Sequence, residues 1–282
     1  MTTLIIDGAN FIHRSEGGWQ GGDVPIVFNF FRSLRALVEQ FNPQRVIFVL
    51  EGHPKKRHDA FADYKANRKI LITEGVEPDE KTKKRIEARA KYFRQSDLII
   101  ALLQEAFPIS VVRHPDYECD DVIYNLIKRA SSTVDFTVVS NDTDFTQLLC
   151  EFDNVRVYNP MMKEFVVKPE VDYVTWKALR GDGSDNIPGI PGIGDKTADD
   201  LMSDPDKLTL LFEDKAKADI FERNYNLIKF DTWEKEDADL MTSSVPKLDK
   251  EKIKESFKEW EFNSILKDKS WDKYVATFAK LT

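Results

Sequence analysis

Short apolar runs that stop at an acid do most to limit what this chain can become. Thr3-Leu4-Ile5-Ile6 halts at Asp7-Gly8, Val46-Ile47-Phe48-Val49-Leu50 at Glu51-Gly52, and Phe136-Thr137-Val138-Val139-Ser140 just before Asp142 and Asp144. Continuous apolar runs of this length read as strands covered on both faces. Between the first two lies a helix-period run from Ile26 to Gln40, apolar at 27, 30, 31, 34, 37 and 38. Strand, helix, strand is a parallel βαβ unit. In open parallel sheets, ligands sit beyond the carboxyl ends of the strands, where these acids stand. One such acid could simply cap the next helix; recurrence at equivalent ends points to a shared site.

The same reading places a helix over Leu98–Phe107, a strand at Ser110-Val111-Val112, and a helix opening at Asp116-Tyr117-Glu118-Cys119-Asp120-Asp121 and running to Arg129. A hairpin pairs Val155–Tyr158 with Glu164–Val167, and a helix from about Lys168 ends near Arg180. Beyond Thr197 the pattern is helical to the end, with a polar linker around Ser243–Asp249. The expected architecture is α/β: a mostly parallel sheet flanked by helices, followed by an all-helical region. The boundaries expected are a core over 1–172, carrying an insertion at about 53–95, and a helical region over 173–282.

Net charge is −8, which on its face disfavours a nucleic-acid partner. The average hides an asymmetry: positions 53–94 carry +6 and the remainder −14. The basic segment includes Lys65, Arg68, Lys84 and Arg85, interleaved with Phe61, Tyr64, Tyr92 and Phe93. That suits a path for single-stranded nucleic acid, where phosphates are neutralised and bases stack; the plainer reading is a solvated helix face. About forty residues is long for an idle insertion. Two cysteines, Cys119 and Cys150, are too few for a disulfide framework or a zinc cage. No signal peptide and no membrane-spanning run is read, so a cytoplasmic setting is expected.

From Lys177 to Ala198 two chemistries share one piece of chain. Asp182 and Asp185 stand three apart in a Gly-rich bend. Gly189, Gly192 and Gly194 then open into a helix beginning near Lys196 and Thr197. The glycines are expected to take positive φ and to let backbone N–H groups approach a phosphate. Such a turn grips backbone without reading sequence.

The candidate acids are Asp7, Glu51, Glu118, Asp120, Asp121, Asp142, Asp144, Asp182 and Asp185. Nine carboxylates from five segments cannot converge without counter-charge. Hard divalent cations such as Mg²⁺ or Mn²⁺ suit all-oxygen ligands. Two such ions can activate water and stabilise the leaving oxygen of a phosphodiester. The four histidines form no cluster.

As a set, Leu4–Gly8, Tyr64-Lys65-Ala66-Asn67-Arg68, Tyr117–Asp121, Asn141–Leu149, Gly181–Ala198 and Glu259–Leu266 resemble the 5′-nuclease family. This family spans flap endonucleases, phage 5′→3′ exonucleases and the N-terminal nuclease domain of bacterial DNA polymerase I. The resemblance implies a PIN-like core, a helical arch and a helix–three-turn–helix over about 186–202, with K⁺ bound there. It implies one metal site around Asp7, Glu51, Glu118, Asp120 and Asp142, and a second near Asp121, Asp144, Asp182 and Asp185. Lys65 and Arg68 would contact the scissile phosphate, Tyr64 would stack on the displaced nucleotide, and Arg14 and Lys177 would serve the site. Asp120 and Asp142 with Lys65 and Arg68 form the implied catalytic set.

Glu51 stands where the family usually has Asp, and Cys119 where a small residue is usual. The implied substrates are DNA 5′ ends, flaps and nicks, with RNA–DNA hybrids accepted, so that primer removal alongside replication proteins fits. A monomeric, stand-alone chain of phage type is expected. The rival readings are a non-catalytic DNA-structure binder, a PIN-like ribonuclease, and a small-molecule phosphoryl-transfer enzyme, whose Walker lysine loop is absent.

Overall fold

The computed structural model describes residues 2–68, 77–130 and 132–281. Five strands lie parallel: β1 (Thr2–Asp7), β2 (Arg45–Leu50), β3 (Ser110–Arg113), β4 (Asp135–Val139) and β5 (Val155–Asn159). β6 (Glu164–Phe165) closes one edge antiparallel to β5. A short ladder, β7 (Gly181–Asp182) with β8 (Ile187–Pro188), stands apart. β9 (Thr242–Ser243) closes the other edge antiparallel to β3. The main sheet runs β6-β5-β4-β1-β2-β3-β9. The chain therefore winds outward from β1 to β3, returns to the far side of β1 as β4, and winds the other way. The crevice where the winding reverses lies between β1 and β4, the favoured ligand position in such sheets.

Alternate residues of β1 serve two cores. Leu4 and Ile6 join a cluster with α1 (Gly8–Arg14) and α2 (Pro25–Phe41), while Ile5 faces the other side. α2 starts with Pro25 in its first turn and stops at Asn42, whose φ of 41° gives a left-handed cap. α3 (Lys55–Ala60) begins the basic insertion. The insertion returns as α4 (Glu80–Ala106), one helix of 27 residues. The sequence shows periodicity only from Leu98 on. The outer half is helical because Asp79 caps it, accepting from Thr82 N at 2.7 Å, and because Lys, Arg, Glu and Ala are strong helix formers. The sequence from Ile70 to Pro78, with Gly75 and Pro78, reads as a loop, and as far as position 76 it falls outside the described residues.

α5 (Cys119–Arg129) and α6 (Thr146–Glu151) cover the second face. α7 (Tyr173–Arg180) starts later than Lys168 because Asp172 is its cap, accepting from Val174 N and Thr175 N. α8 (Asp195–Ser203), α9 (Pro205–Phe212) and α10 (Lys215–Ile228) pack with α7 around two small apolar clusters. α11 (Lys235–Asp239) leads to β9, a strand inside the stretch expected to be helical. The last helices, α12 (Lys250–Glu259), α13 (Asn263–Leu266) and α14 (Asp268–Phe278), do not stay with α7–α10. Ile253, Phe257, Ile265, Tyr274 and Phe278 pack into the α2 side of the sheet core. Among the described residues no helix is long and apolar enough to cross a membrane.

Phe257 is fully buried, 5.4 Å from Phe31 and 5.2 Å from Phe262 between ring centroids. Phe257→Ala is expected to destabilise the protein by about 3–5 kcal/mol in urea denaturation. The transition should stay single, because these helices share the core of the sheet.

Candidate active site

The carboxyl ends of β1, β2 and β4 open onto a cavity of about 960 Å³, walled on its other sides by the arch base, α4 and the 181–185 bend. Seven of the nine candidate acids line it: Asp7, Glu51, Asp120, Asp142, Asp144, Asp182 and Asp185. Asp7 ends β1 and caps α1, accepting from Asn10 N at 3.1 Å; Ser140 Oγ donates to its other oxygen at 2.8 Å. The same Ser140 Oγ accepts from Asp142 N at 3.0 Å, which locks the β4 exit against β1. Cys119 N donates to Glu51 at 3.3 Å, and the Cys119 thiol is buried beneath the acids.

Buried cations hold one part of this charge. Arg57 is 4% exposed and donates to Glu118 at 2.7 Å, to both oxygens of Asp121, and to the carbonyls of Leu227 and Lys229. Lys65 pairs with Glu118, and with Asp185 at 3.5 Å; Arg68 also pairs with Asp185. Lys177 sits between Asp144 and Asp182, 2.7 Å from the latter. Burial opposes the Lys65 and Lys177 ammoniums, but the surrounding carboxylates outweigh it and hold both above the ordinary range. Burial also pushes Glu118 up, and Lys65 and Arg57 reverse this to leave it below its ordinary value. Asp182 is lowered likewise, by Lys177 and Ser184 against burial. Lys65 adopts φ 55°, a left-handed conformation unusual for a long side chain, with its N–H on the Asp185 carbonyl at 2.9 Å. Such strain persists where the surroundings over-determine it; here the arch base is stitched to the 181–186 bend.

The remaining four acids, Asp7, Glu51, Asp120 and Asp142, stand in no ion pair among the described residues. Burial pushes Asp7 up to about 6. Burial by surrounding protein, then Glu118 and Asp7, push Glu51 up to about 8, although its side chain still reaches the cavity. Asp120 is raised well above the usual carboxylate range by burial and by Glu118. Three carboxyls that burial and like charge push toward the neutral form, with the Asp142 oxygens beside them, are the donor chemistry a hard divalent cation relieves. As they stand, no three His, Cys, Asp or Glu side chains among the described residues are grouped to hold one ion. The fit is therefore in donor chemistry and side-chain reach, not in a preset ligand polyhedron.

Several expected placements differ. Asp121 points away from the cavity, buried against Arg57 and the Asp231 N–H, which donates to it at 2.8 Å. Glu118 lies behind the wall, 1% exposed. Tyr64 is 2% exposed and packs with Val174, Ala178 and Ile187, so its ring has no free face for a base. Its hydroxyl lies 2.7 Å from Glu118 and 3.1 Å from Asp185. Of the three turn glycines only Gly192 has positive φ, 83°. Gly189 is needed for space instead, since a Cβ there would meet the Arg180 carbonyl at 2.2 Å, and a Cβ on Gly194 would meet nothing.

Lys196 and Thr197 are exposed in the first turn of α8. Lys84 and Arg85 are exposed on α4, one turn beyond Ala88 and Arg89, which with Tyr92 and Phe93 do line the cavity. Arg14 lies beside Phe11, 5.8 Å from the ring centroid, outside the lining. Arg57, Ser140 and Arg180 are the residues whose parts the sequence did not disclose. Arg57 and Ser140 reach partners 61 and 133 residues away, which no local spacing marks, while Arg180 meets Trp176 and Asp195 nearby without belonging to any motif the sequence singles out.

Residues 2–177 match the family model described as 5′-3′ exonuclease, N-terminal resolvase-like domain, and residues 167–261 match 5′-3′ exonuclease, C-terminal SAM fold. A 5′-3′ exonuclease of Aquifex aeolicus is 30% identical over 301 residues, covering 95% of this chain and 94% of that protein. DNA polymerase I of Treponema pallidum is 31% identical over 223 residues, which are 71% of this chain and only 20% of the polymerase. Among solved structures, the bacteriophage T5 flap endonuclease in a pseudo-enzyme–product complex with DNA and metal ions matches at TM-score 0.64 and 19% identity, over 81% of this chain and 89% of that one. The catalytic core of Rad2 in complex with DNA substrate matches at TM-score 0.57 and 14% identity, over 98% and 92%. The structural likenesses agree in fold, and the two family models together with the full-length Aquifex relative establish that the chain belongs to the 5′-3′ exonuclease family.

Proposed function

We propose that this family member removes nucleotides or flaps from DNA 5′ ends by cation-assisted phosphodiester hydrolysis that leaves 5′-phosphates. The observation that carries the reading is the quartet Asp7, Glu51, Asp120 and Asp142. They stand in no ion pair among the described residues and face one cavity beside lysines and arginines paired to the neighbouring acids. Asp7, Glu51, Asp120 and Asp142 would hold a first divalent ion, Mg²⁺ or Mn²⁺, and Asp144, Asp182 and Asp185 a second. Bound there, such ions supply an activated water and neutralise the leaving oxygen.

The chain's own residues do the rest. Lys65 and Arg68 exchange part of their hold on Asp185 for the strand phosphate. Lys177 holds Asp144 and Asp182 together. Lys84, Arg85 and Arg89 line the approach on α4, and the Gly189–Thr197 turn grips duplex backbone, where main-chain carbonyl oxygens would hold a K⁺ ion. Primer removal from RNA–DNA hybrids belongs to the same reading through the family resemblance alone, since telling RNA from DNA turns on the 2′-hydroxyl.

Asp142→Asn and Asp120→Asn are each expected to lower cleavage of a labelled 5′ flap by more than ~10²-fold while DNA binding persists; full cleavage by clean Asp142→Asn protein would remove the quartet from the reaction. Tyr64→Phe deletes the hydroxyl bonds to Glu118 and Asp185. It should lower the single-turnover rate by about ten-fold at unchanged DNA affinity, whereas a stacking role would leave Tyr64→Phe silent.

Stability should follow cation and pH together. Asp7 and Glu51 have folded values above their unfolded ones, so they favour the folded state at low pH, and this is lost as pH rises through about 6 and about 8. The metal-free melting temperature should fall between pH 5 and 8. Millimolar Mg²⁺ should restore more of it at pH 8 than at pH 5, and EDTA should reverse the gain.

A further inference from the structure

Lys65, Arg68 and Lys177 are each committed to carboxylates in the cavity wall. Arg180, the last residue of α7, lines the same cavity under different terms. Its guanidinium carbon lies 4.4 Å from the Trp176 ring centroid. Trp176 is in turn fixed by its indole N–H, which donates to Asp199 at 2.7 Å. The ion pair Arg180 makes is with Asp195, at 2.8 Å, in the first turn of α8. That carboxylate is 68% exposed, so water and salt screen the pair. Arg180 Nε is shut off from solvent and has no hydrogen-bond partner among the described residues. The side chain is thus stacked on a fixed ring, weakly restrained, short of one bond, and placed between the cavity and the helix that follows the glycine turn.

We propose that Arg180 binds a backbone phosphate of the nucleic-acid strand passing from the Gly189–Thr197 turn to the cavity, with Asp195 holding the guanidinium until that phosphate arrives. The proposal rests on the reading of this chain as a nuclease acting on DNA. Trp176 takes one face of the guanidinium, which leaves the N–H fork at its edge. Two parallel N–H groups match the oxygens of a phosphate. The rotation that brings Nε to a phosphate oxygen also gives the unpaired donor its partner. Because α7 carries Lys177 one turn earlier, a phosphate held by Arg180 fixes the strand's register relative to the cavity.

The test uses the full chain and a fluorescent 5′-flap duplex, bound in EDTA across a salt series and then cleaved in Mg²⁺. The proteins compared are wild type, Arg180→Gln, Arg180→Lys, Asp195→Asn and the Arg180→Gln/Asp195→Asn double variant. Arg180→Gln should weaken binding about ten-fold and reduce the slope of log affinity against log salt by about 0.9, one duplex phosphate. KM should rise in step, with kcat changing less. Arg180→Lys should recover the slope but only part of the affinity, since it keeps the charge and loses the fork. Asp195→Asn should tighten binding, and only where Arg180 is present.

An unchanged salt slope in Arg180→Gln, or an Asp195→Asn effect independent of Arg180, would reduce the pair to a clasp between α7 and α8 and overturn the proposal. A wild type that cleaves the flap while Arg180→Gln is indifferent sinks this inference alone. A wild type that neither cleaves nor shows salt-dependent binding sinks the nuclease reading and this one with it.

Discussion

Like charge crowded into a protein interior has to be neutralised, protonated or dispersed, and the way this chain meets that demand organises much of its architecture. Five of the nine acids are answered by cations brought from elsewhere in the sequence: Arg57, Lys65 and Arg68 from the insertion, Lys177 from the helix before the bend. These pairs help tie the insertion to its surroundings, since Arg57 reaches α5 and the end of α10 at once. The other four acids stand in no ion pair among the described residues. Replacing a buried pair by apolar groups is often harmless, while removing one partner is costly. The network is thus better understood as a device for fixing positions than as a source of stability.

Topology decides which acids remain unanswered. Asp7 and Asp142 follow the two strands at which the winding reverses, and Ser140 bonds to both. Glu51 follows the next strand over. Asp120 enters from the first turn of α5, whose N-terminal dipole favours negative charge. Asp121, its neighbour in sequence, turns the other way around the helix and meets Arg57. A single step along α5 thus separates a carboxylate facing the cavity from one that anchors the arch.

Much of this was legible in the sequence for identifiable reasons. Strands covered on both faces announce themselves as unbroken apolar runs, and α2 by its period. The acids were legible because they end those runs. What stayed hidden was anything set by contacts distant in sequence. Tyr64 looked like a stacking residue because it sits among basic residues, yet burial against Val174, Ala178 and Ile187 decides its part. The outer half of α4 has no apolar period because it has no core to face, so it read as part of a basic insertion. The return of α12–α14 to the sheet was equally invisible, since their apolar faces do not say which partner they meet. Gly189 and Gly194 looked like Gly192, although only one of the three takes a left-handed backbone.

The unbroken course of α4 has a mechanical side. Its inner turns are packed in the sheet core, and its outer turns rise beside the cavity mouth carrying Arg89, Tyr92 and Phe93. At 1.5 Å per residue such a rod is about 40 Å long. A post footed that deeply cannot lean without disturbing the hydrophobic floor beneath it. The placing of Arg89, Tyr92 and Phe93 at the cavity mouth is therefore gauged against the sheet itself.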